Sequence, residues 1–323
     1  MSSFRVGIVG SGNIAGRFIK EIPFAKEEIT VTYIYNPRIS SAERFCKEHG
    51  VGIPTDDLNT MLDNADIMYI ASPHETHYGY AKKALLAGKN VLCEKPMTFR
   101  KEEAEELFLL AKENDLVLME AIKTSYCPGF LRLCELADSG VVGEIIDVDS
   151  SFVRGAPETS KIWKDTEHGG SFPELSSYTL LPIVRFLGTN GLEYRFESLY
   201  TDNGIDLYTK AYFTNGKALG LSKTGLGGEA EGTLMLTGAK GYIKVSPPWW
   251  HTETIEVYVA GEGTQKYYVP YPGDGLRTEI DEMTARISDK DHGCIGITEN
   301  ESCALAEIIE KFFAFRKRRA AEG

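Results

Sequence analysis

The sequence predicts an α/β chain in two parts: a parallel sheet covered by helices over residues 1–123, then an α+β domain with a large, mostly antiparallel sheet over 124–323. Three observations predict it. Short apolar runs at 4–9, 29–35, 67–70, 90–93 and 116–119 alternate with amphipathic stretches, as strands separated by crossover helices do. Beyond about Lys123 the segments lengthen and alternate with period two, the pattern of strands with one buried face. Length is the third, because 323 residues are many for one core and comfortable for two.

The first apolar run leads into Gly10-Ser11-Gly12-Asn13-Ile14-Ala15, a G-x-G-x-x-A turn that opens a helix. Gly10 permits the tight turn, Gly12 lets backbone approach a pyrophosphate, and small Ala15 lets the helix pack on its strand. Free N–H groups at the helix start, those of Asn13 and Ile14 among them, then face the phosphate. Such a turn at the first strand of a βαβ series marks a Rossmann dinucleotide-binding domain. Further on, Ala104, Leu107, Phe108 and Ala111 recur at helical spacing and lay one stripe on the sheet.

In the second part Ile255, Val257 and Val259 point inward against Thr254, Glu256 and Tyr258 outward. Gly238-Ala239-Lys240-Gly241 and Thr214-Asn215-Gly216-Lys217 are the expected turns between strands, the Asn-Gly pair signalling a hairpin. Thr298 and Glu301 have capping-box spacing ahead of Leu305, Ile308, Ile309 and Phe312, which predicts a closing amphipathic helix.

Composition bounds the partners. Hydrophobic residues at 42% and charged residues at 25% are those of an ordinary globular chain. A formal net charge of -12 argues against nucleic acid and anionic membrane, whose phosphates are met with Lys and Arg. The run Arg316, Lys317, Arg318, Arg319 reads as cations closing a helix, favoured by the helix dipole. The start MSSFRVGIVG has no apolar leader and no segment has the length of a membrane span, so a cytoplasmic protein is expected. Six cysteines without a C-x-x-C pair are expected to be reduced thiols.

At the end of the second strand, where an acidic residue usually binds the adenosine ribose of NAD, the sequence has Tyr35-Asn36-Pro37-Arg38. Uncharged Asn36 does not repel a 2′-phosphate, and Arg38 with Ser40 and Ser41 offers contacts to one. The cofactor is therefore NAD(P), with NADP favoured; the alternative is an Arg38 that stacks on adenine or points to solvent.

Ala71-Ser72-Pro73-His74-Glu75-Thr76-His77, followed by Gly88-Lys89-Asn90-Val91-Leu92-Cys93-Glu94-Lys95-Pro96, resembles the glucose-fructose oxidoreductase and inositol dehydrogenase family. That family carries an S/T-P-x-x-x-H loop and then an E-K-P motif at the ends of successive strands. The likeness continues through Met119-Glu120-Ala121, Pro128 and Gly140 to Gly143, and with Thr124 it is most similar to the dihydrodiol and xylose dehydrogenase branch. That branch's usual aromatic and arginine are replaced here by Lys123 and Ser125, so its substrate does not carry over.

The resemblance implies that Ser72, Pro73, His74, His77, Glu94 and Lys95 flank the cofactor, with Lys95 beside nicotinamide and the substrate hydroxyl, commonly after a cis peptide to proline. A cation there polarises a carbonyl or stabilises an alkoxide while hydride moves. To act as a base near neutral pH, Lys95 needs a pKa lower by roughly three units, about 4 kcal/mol. His74 and His77 form H-x-x-H rather than H-E-x-x-H, with no third ligand nearby, so no metal is expected. His77 is read as a flanking residue or as a cap of the following helix.

The family's second element, approximately G-G-x-L-x-D-x-G-x-H, aligns with Gly169-Gly170-Ser171-Phe172-Pro173-Glu174-Leu175-Ser176-Ser177-Tyr178. Glu174 falls where aspartate is expected, Ser176 replaces glycine, and Tyr178 takes the acid-base position. As i and i+4 on a helix the two share a face. Glu174 carries an extra methylene, a shift of roughly 1 Å that can cost a hundredfold in rate where alignment matters. Arg154, Lys161, Trp163, Lys164 and His168 are candidates to line the mouth and meet polyol hydroxyls or an anionic group.

Two functions follow. The first is a hydride-transferring enzyme acting on a secondary alcohol or carbonyl of a sugar, polyol or related small molecule. The alternative, suggested by the broken D-x-G-x-H pattern, is a catalytically weakened dinucleotide sensor or scaffold. The resemblance also implies pairing through the antiparallel sheet, as a homodimer or homotetramer.

Overall fold

A computed structural model describes residues 3–157 and 159–322. The chain begins β1 (Ser3–Val9), α1 (Asn13–Glu21), β2 (Glu28–Tyr35), α2 (Ile39–His49), β3 (Ile53–Thr55), α3 (Leu58–Asp63), β4 (Ile67–Ile70), α4 (His77–Leu86), β5 (Asn90–Glu94), α5 (Lys101–Glu113), β6 (Leu118–Ala121) and α6 (Lys123–Tyr126). It continues α7 (Pro128–Asp138), β7 (Ile145–Val153), α8 (Ser171–Leu187), β8 (Glu193–Tyr200), β9 (Asp206–Thr214), β10 (Leu219–Gly225), β11 (Leu234–Gly238), β12 (Gly241–Val245), β13 (Thr254–Val259), β14 (Gly263–Tyr268), α9 (Leu276–Ser288) and α10 (Glu299–Glu322). These fall into two units: residues 1–126 with 272–295, and residues 127–271 with 296–323.

In the first unit six parallel strands lie in the order β3-β2-β1-β4-β5-β6, a doubly wound sheet whose order reverses between β1 and β4. β4 and β6 are buried along their whole length and β5 along all but its first residue, as strands covered on both faces must be. α5 buries Ala104, Leu107 and Ala111 of the predicted stripe and leaves Phe108 half-buried. β3 has no apolar run to announce it: Ile53-Pro54-Thr55 is three residues with a central proline, tolerated because the strand sits at the sheet edge.

The late segment 272–295 packs with this unit, so a single contiguous cut at 123 does not describe the contacts. Arg17 of α1 reaches Asp274 from Nη2 at 2.6 Å, and Arg277 of α9 donates from Nε to Glu21 of α1 at 2.7 Å. Charge pairs from α1 to Asp274 and to Arg277 of α9 therefore tie a distant stretch of sequence to the glycine-turn helix.

The second unit is an eight-stranded sheet in the order β14-β13-β12-β11-β7-β10-β9-β8, antiparallel except where β10 runs parallel to β7. Ile255 and Val257 are buried, as their alternation predicts, and both predicted turns join the strands expected, β9 to β10 and β11 to β12. α8 lies across β7, β9 and β10, and α10 packs on α8 with Phe312 against Phe172 at 4.4 Å between ring centroids. The capping box forms: Glu301 Oε2 accepts from the Thr298 N–H at 2.8 Å, and Thr298 Oγ1 accepts from the Glu301 N–H at 3.3 Å. All six cysteines are free thiols. Among the described residues no helix is long and apolar enough to cross a membrane.

Candidate active site

The glycine turn separates two kinds of glycine. Gly10 has φ of 109°, and a Cβ on it would lie 2.3 Å from the Ala71 carbonyl oxygen, so the fold itself requires glycine there. A Cβ on Gly12 would meet nothing within 4 Å. Nothing in the protein demands glycine at that position; an approaching ligand would. Gly12 is also the N-cap of α1, with no side-chain cap and no acidic residue in the first turn, so its opening amides keep the partial positive charge that suits a diphosphate. Ala15 is fully buried, Asn13 exposed and Ile14 half-buried. These residues fit an NAD(P) diphosphate.

Asn36 ties this turn to the next helix. Its Nδ2 donates to Ser11 Oγ at 2.9 Å and its Oδ1 accepts from the Arg38 N–H at 2.9 Å. Arg38 and Ser40 are exposed, whereas Ser41 is buried with its N–H donating to the Arg38 carbonyl. The exposed pair remains able to meet a phosphate, and Ser41 is not presented with it.

From α1 a line of contacts runs to the E-K-P motif. Phe18 stacks on Tyr69 of β4 with centroids 3.9 Å apart, and Tyr69 Oη donates to Glu94 Oε1 at 2.6 Å. Burial pushes the Glu94 carboxyl up and the Tyr69 phenol well up from their ordinary values. Lys95 follows, the single half-exposed residue between Val91 and Thr98, and the Lys95–Pro96 peptide is cis. Glu120 braces the far side, its Oε1 accepting from the Met97 N–H at 3.0 Å.

His77 is a staple rather than a helix cap. The cap of α4 is Thr76, while the buried His77 ring lies with Nδ1 2.9 Å from the Pro96 carbonyl and Nε2 2.9 Å from the Ser72 carbonyl. Burial pushes its pKa down, so the ring is neutral and donates to one of the two carbonyls. It thereby ties the Ser72-Pro73 loop to the E-K-P loop. His74 packs edge-on to His77 at 5.5 Å, Pro73 is exposed, and Ser72 Oγ is 2.7 Å from Thr76 Oγ1.

Behind these loops lies buried charge. Lys123 is 5% exposed and donates to the Asp274 carbonyl at 2.7 Å. Burial alone would raise the Asp274 carboxyl, but Arg17 and Lys123 beside it hold it down to about 2. Glu279 of α9 is fully buried, and neither carboxylate oxygen has a hydrogen-bond partner among the described residues; burial and the nearby Glu94 push its carboxyl well up. Ser125 is buried as well.

In the second unit α8 carries Glu174 and Tyr178. From Ser171 to Val184 every residue of this helix is buried except those two, which are half-exposed one turn apart. A helix so enclosed opens at one face, and these side chains occupy it. Tyr178 meets Phe152 edge-on at 5.5 Å, and Phe152 stacks on Trp250 at 3.6 Å. Trp163 packs against the same Phe152, Leu175 and Leu226 cluster as Tyr178, its Nε1 donating to the Pro157 carbonyl at 2.9 Å. Arg154 and Lys164 are exposed and His168 faces Phe313 at 6.4 Å, so this cluster includes Trp163 but not those three. The side chain of Lys161 lies outside the described residues.

Residues 4–122 match the family model described as "Oxidoreductase family, NAD-binding Rossmann fold", that of the Gfo/Idh/MocA proteins. The match is to the Rossmann domain and spans residues 4–122 of the 323. It is 32% identical over 189 residues to a dTDP-3,4-didehydro-2,6-dideoxy-α-D-glucose 3-reductase of Actinomadura kijaniata, covering 58% of this chain and 57% of that one. It is 22% identical over 325 residues to a trans-1,2-dihydrobenzene-1,2-diol dehydrogenase of Danio rerio, covering 96% of each. The structure of a 3-ketoreductase from Actinomadura kijaniata, solved with TDP-benzene and NADP, superposes with a TM-score of 0.80 at 23% identity, covering 96% of each chain. That superposition shows a shared fold. Against the reductase, the alignment spans little more than half of either protein.

Several residues near the motifs escaped the sequence. Tyr69 and Glu120 brace the E-K-P loop, and only the Met119-Glu120-Ala121 resemblance hinted at one of them. Phe152 and Trp250 wall Tyr178 from strands and loops far along the chain; the Trp249-Trp250 pair was the available signal. The cation run lies near the end of α10, yet Arg316 is 9% exposed and turns inward, donating from Nη1 to the Gly169 carbonyl at 2.7 Å. A buried guanidinium needs acceptors, and the turn ahead of α8 supplies them.

Proposed function

We propose that the protein is an NAD(P)-dependent oxidoreductase that interconverts a secondary alcohol and a carbonyl on a sugar, polyol or related small molecule. The observation that carries this is the first unit's line from the open helix start at Gly12, through Phe18, Tyr69 and Glu94, to Lys95. Bound nicotinamide supplies the hydride acceptor or donor. Lys95 holds the substrate oxygen and stabilises negative charge on it. Tyr178 passes the hydroxyl proton, with Glu174 on the same helix face as its partner. Phe152, Trp163 and Trp250 give Tyr178 an apolar wall that limits water. Residues 1–123 with the late α9 segment thus bind the dinucleotide, and the remainder holds the substrate.

NADP is the favoured cofactor, supported by the uncharged Asn36 amide at the strand end and by exposed Arg38 and Ser40. The sugar-like substrate class is supported by the aligned deoxyglucose 3-reductase and diol dehydrogenase. The proposal includes a homodimer or homotetramer formed through the sheet face opposite α8, where Leu199, Leu219 and Met235 are 66%, 61% and 37% exposed. Cytoplasmic residence is supported by the six free thiols.

The test is absorbance of reduced nicotinamide across a panel of pentoses, hexoses, inositols and their keto or lactone forms, with NADP and NAD in parallel. Turnover is expected with at least one, and Lys95→Ala should lower it by about a hundredfold or more. Cofactor binding without any turnover would replace the enzyme with a dinucleotide sensor or scaffold. Tighter binding of NADH than NADPH would reverse the cofactor preference, and sedimentation as a monomer would remove the oligomer.

A further inference from the structure

The start of α8 is held by an ion pair buried beneath it. Asp206, the first residue of β9, is fully buried, and its Oδ2 accepts from the Phe172 N–H at 2.7 Å, from Ser171 Oγ at 2.8 Å and from Thr209 Oγ1 at 3.2 Å. Arg316 of α10 stands 3.6 Å from Asp206 Oδ1 and donates to the carbonyls of Gly169 at 2.7 Å, Thr166 at 3.4 Å and Glu167. Gly170, with φ of 131°, brings the backbone so close that a Cβ there would lie 1.9 Å from Asp206 Oδ1. The anion thus grips the Phe172 amide and the Ser171 hydroxyl on one side of the turn, while the cation grips the carbonyls on the other.

We propose that the Asp206–Arg316 pair is a positioning device: by clamping both sides of the turn at 166–172 it sets the rotation and tilt of α8 and hence where Glu174 and Tyr178 point. Resting on the redox role proposed for those two side chains, this adds residues that touch neither substrate nor cofactor. The geometry explains why Gly169 and Gly170 precede the helix. A Cβ on Gly169 would lie 2.4 Å from both the Asp165 and Ile162 carbonyl oxygens, and one on Gly170 would displace the carboxylate. Glu174 follows directly, its N–H donating to the Gly170 carbonyl at 3.4 Å, so a shift of the clamp passes into the first turn.

The clamp is linked to a proton. Burial pushes the Asp206 carboxyl up to about 6, opposed by the Phe172 amide, the Ser171 hydroxyl, Arg316 and Thr209. The titratable groups around the pair are few. Tyr200 of β8 has its phenol pushed up by burial and carries Arg319 of α10 over its ring, and Asp165, Glu167 and His168 lie on the clamped turn. Protonation of Asp206 relieves the cost of burying its charge, so the clamped site binds this proton more tightly than an opened one does.

Amide exchange by mass spectrometry on the full chain decides the matter, comparing wild type with Asp206→Asn and Arg316→Met. The expected result is about tenfold faster exchange across 171–178 in both variants, with the β1–α1 segment and NADPH affinity unchanged. In wild type, protection across 171–178 should rise as pH falls through about 6, and in Asp206→Asn it should not step there. With D-xylose and NADP as the kinetic probe, kcat should fall about a hundredfold in each variant with the KM for NADP unmoved, and Arg316→Lys should recover part of it. Unchanged exchange across 171–178, or faster exchange with unchanged kcat, overturns the proposal. Should wild type fail to oxidise D-xylose, that failure bears on the proposed function, and exchange together with its pH step still decides the clamp.

Discussion

Two helix starts in this molecule solve one electrostatic problem in opposite ways. At α1 the first-turn amides have no side-chain cap, and the flanking Gly12 opens onto space. At α8 the first-turn amide of Phe172 is met by the Asp206 carboxylate, itself fully buried. Both ends carry the partial positive charge of a helix N-terminus. A start left open is fitted to an anion that arrives from outside; a start filled from within spends its amides on placing the helix. Under the proposed function, the first helix start holds the diphosphate and the second presents Glu174 and Tyr178.

The largest effect should come from closing the open start. Gly12→Asp puts a carboxylate where the diphosphate is expected, and two like charges about 4 Å apart near a protein surface repel by about 4 kcal/mol, close to a thousandfold in affinity. NADPH titration by fluorescence should show that loss while thermal melting stays near wild type, because the new side chain has room. Gly10→Ala should do the reverse, unfolding the turn through contact with the Ala71 carbonyl. If Gly12→Asp binds NADPH normally, α1 is not the anion site and the contrast fails.

The second effect tests the filled start through its proton. Asp206 is raised from 3.8 to about 6 in the folded chain, so the folded state takes up this proton before the unfolded state does. Its contribution is therefore most favourable below pH 3.8 and is lost as pH rises through 6, a change of about 3 kcal/mol that Asp206→Asn should abolish. Trp163, Trp249 and Trp250 are the only tryptophans and all lie in the second unit, so their fluorescence follows its urea unfolding alone. Between pH 4 and 7 the Asn variant should gain on wild type as pH rises. Parallel curves would mean that Asp206 is not the titrating group.

How much of this was legible in the sequence follows the range of the interactions. The glycine turn, the alternating strands and the E-K-P loop are contiguous motifs, and both sheets stand as the pattern predicts. Glu174 and Tyr178 were legible as a pair because helical spacing is local. The clamp was not, since Asp206 lies 34 residues from the amide it caps and Arg316 lies 147 from Gly169. Nothing in β9 or in a basic helix end marks either as a partner of a glycine turn. The same reason hid the return of α9 to the first unit, which depends on Asp274 and Arg277 finding Arg17 and Glu21. His77 was legible as a residue but not as a staple, because its two carbonyl partners belong to different loops.

The smallest effect concerns how the open start is kept rigid without a cap. α1 is held from the side, where Arg17 and Lys123 converge on Asp274 and keep its carboxyl near 2. A depressed carboxylate contributes stability above its unfolded value of 3.8, and that contribution is lost as pH falls through about 2. Lys123→Met removes one of the two cations, leaving Arg17 in place and also ending the desolvation of a nearly buried ammonium. These terms oppose each other, and Asp274 retains 30% side-chain exposure, so the net loss at neutral pH should be about 1 kcal/mol. Tryptophan fluorescence is blind to this unit, so amide exchange across α1 and α9 is the measurement, with faster exchange in both helices at pH 7 and a smaller gap from wild type near pH 2. Exchange that quickens in α9 alone would show that α1 stands without its lateral support, and that the open start needs nothing from Asp274.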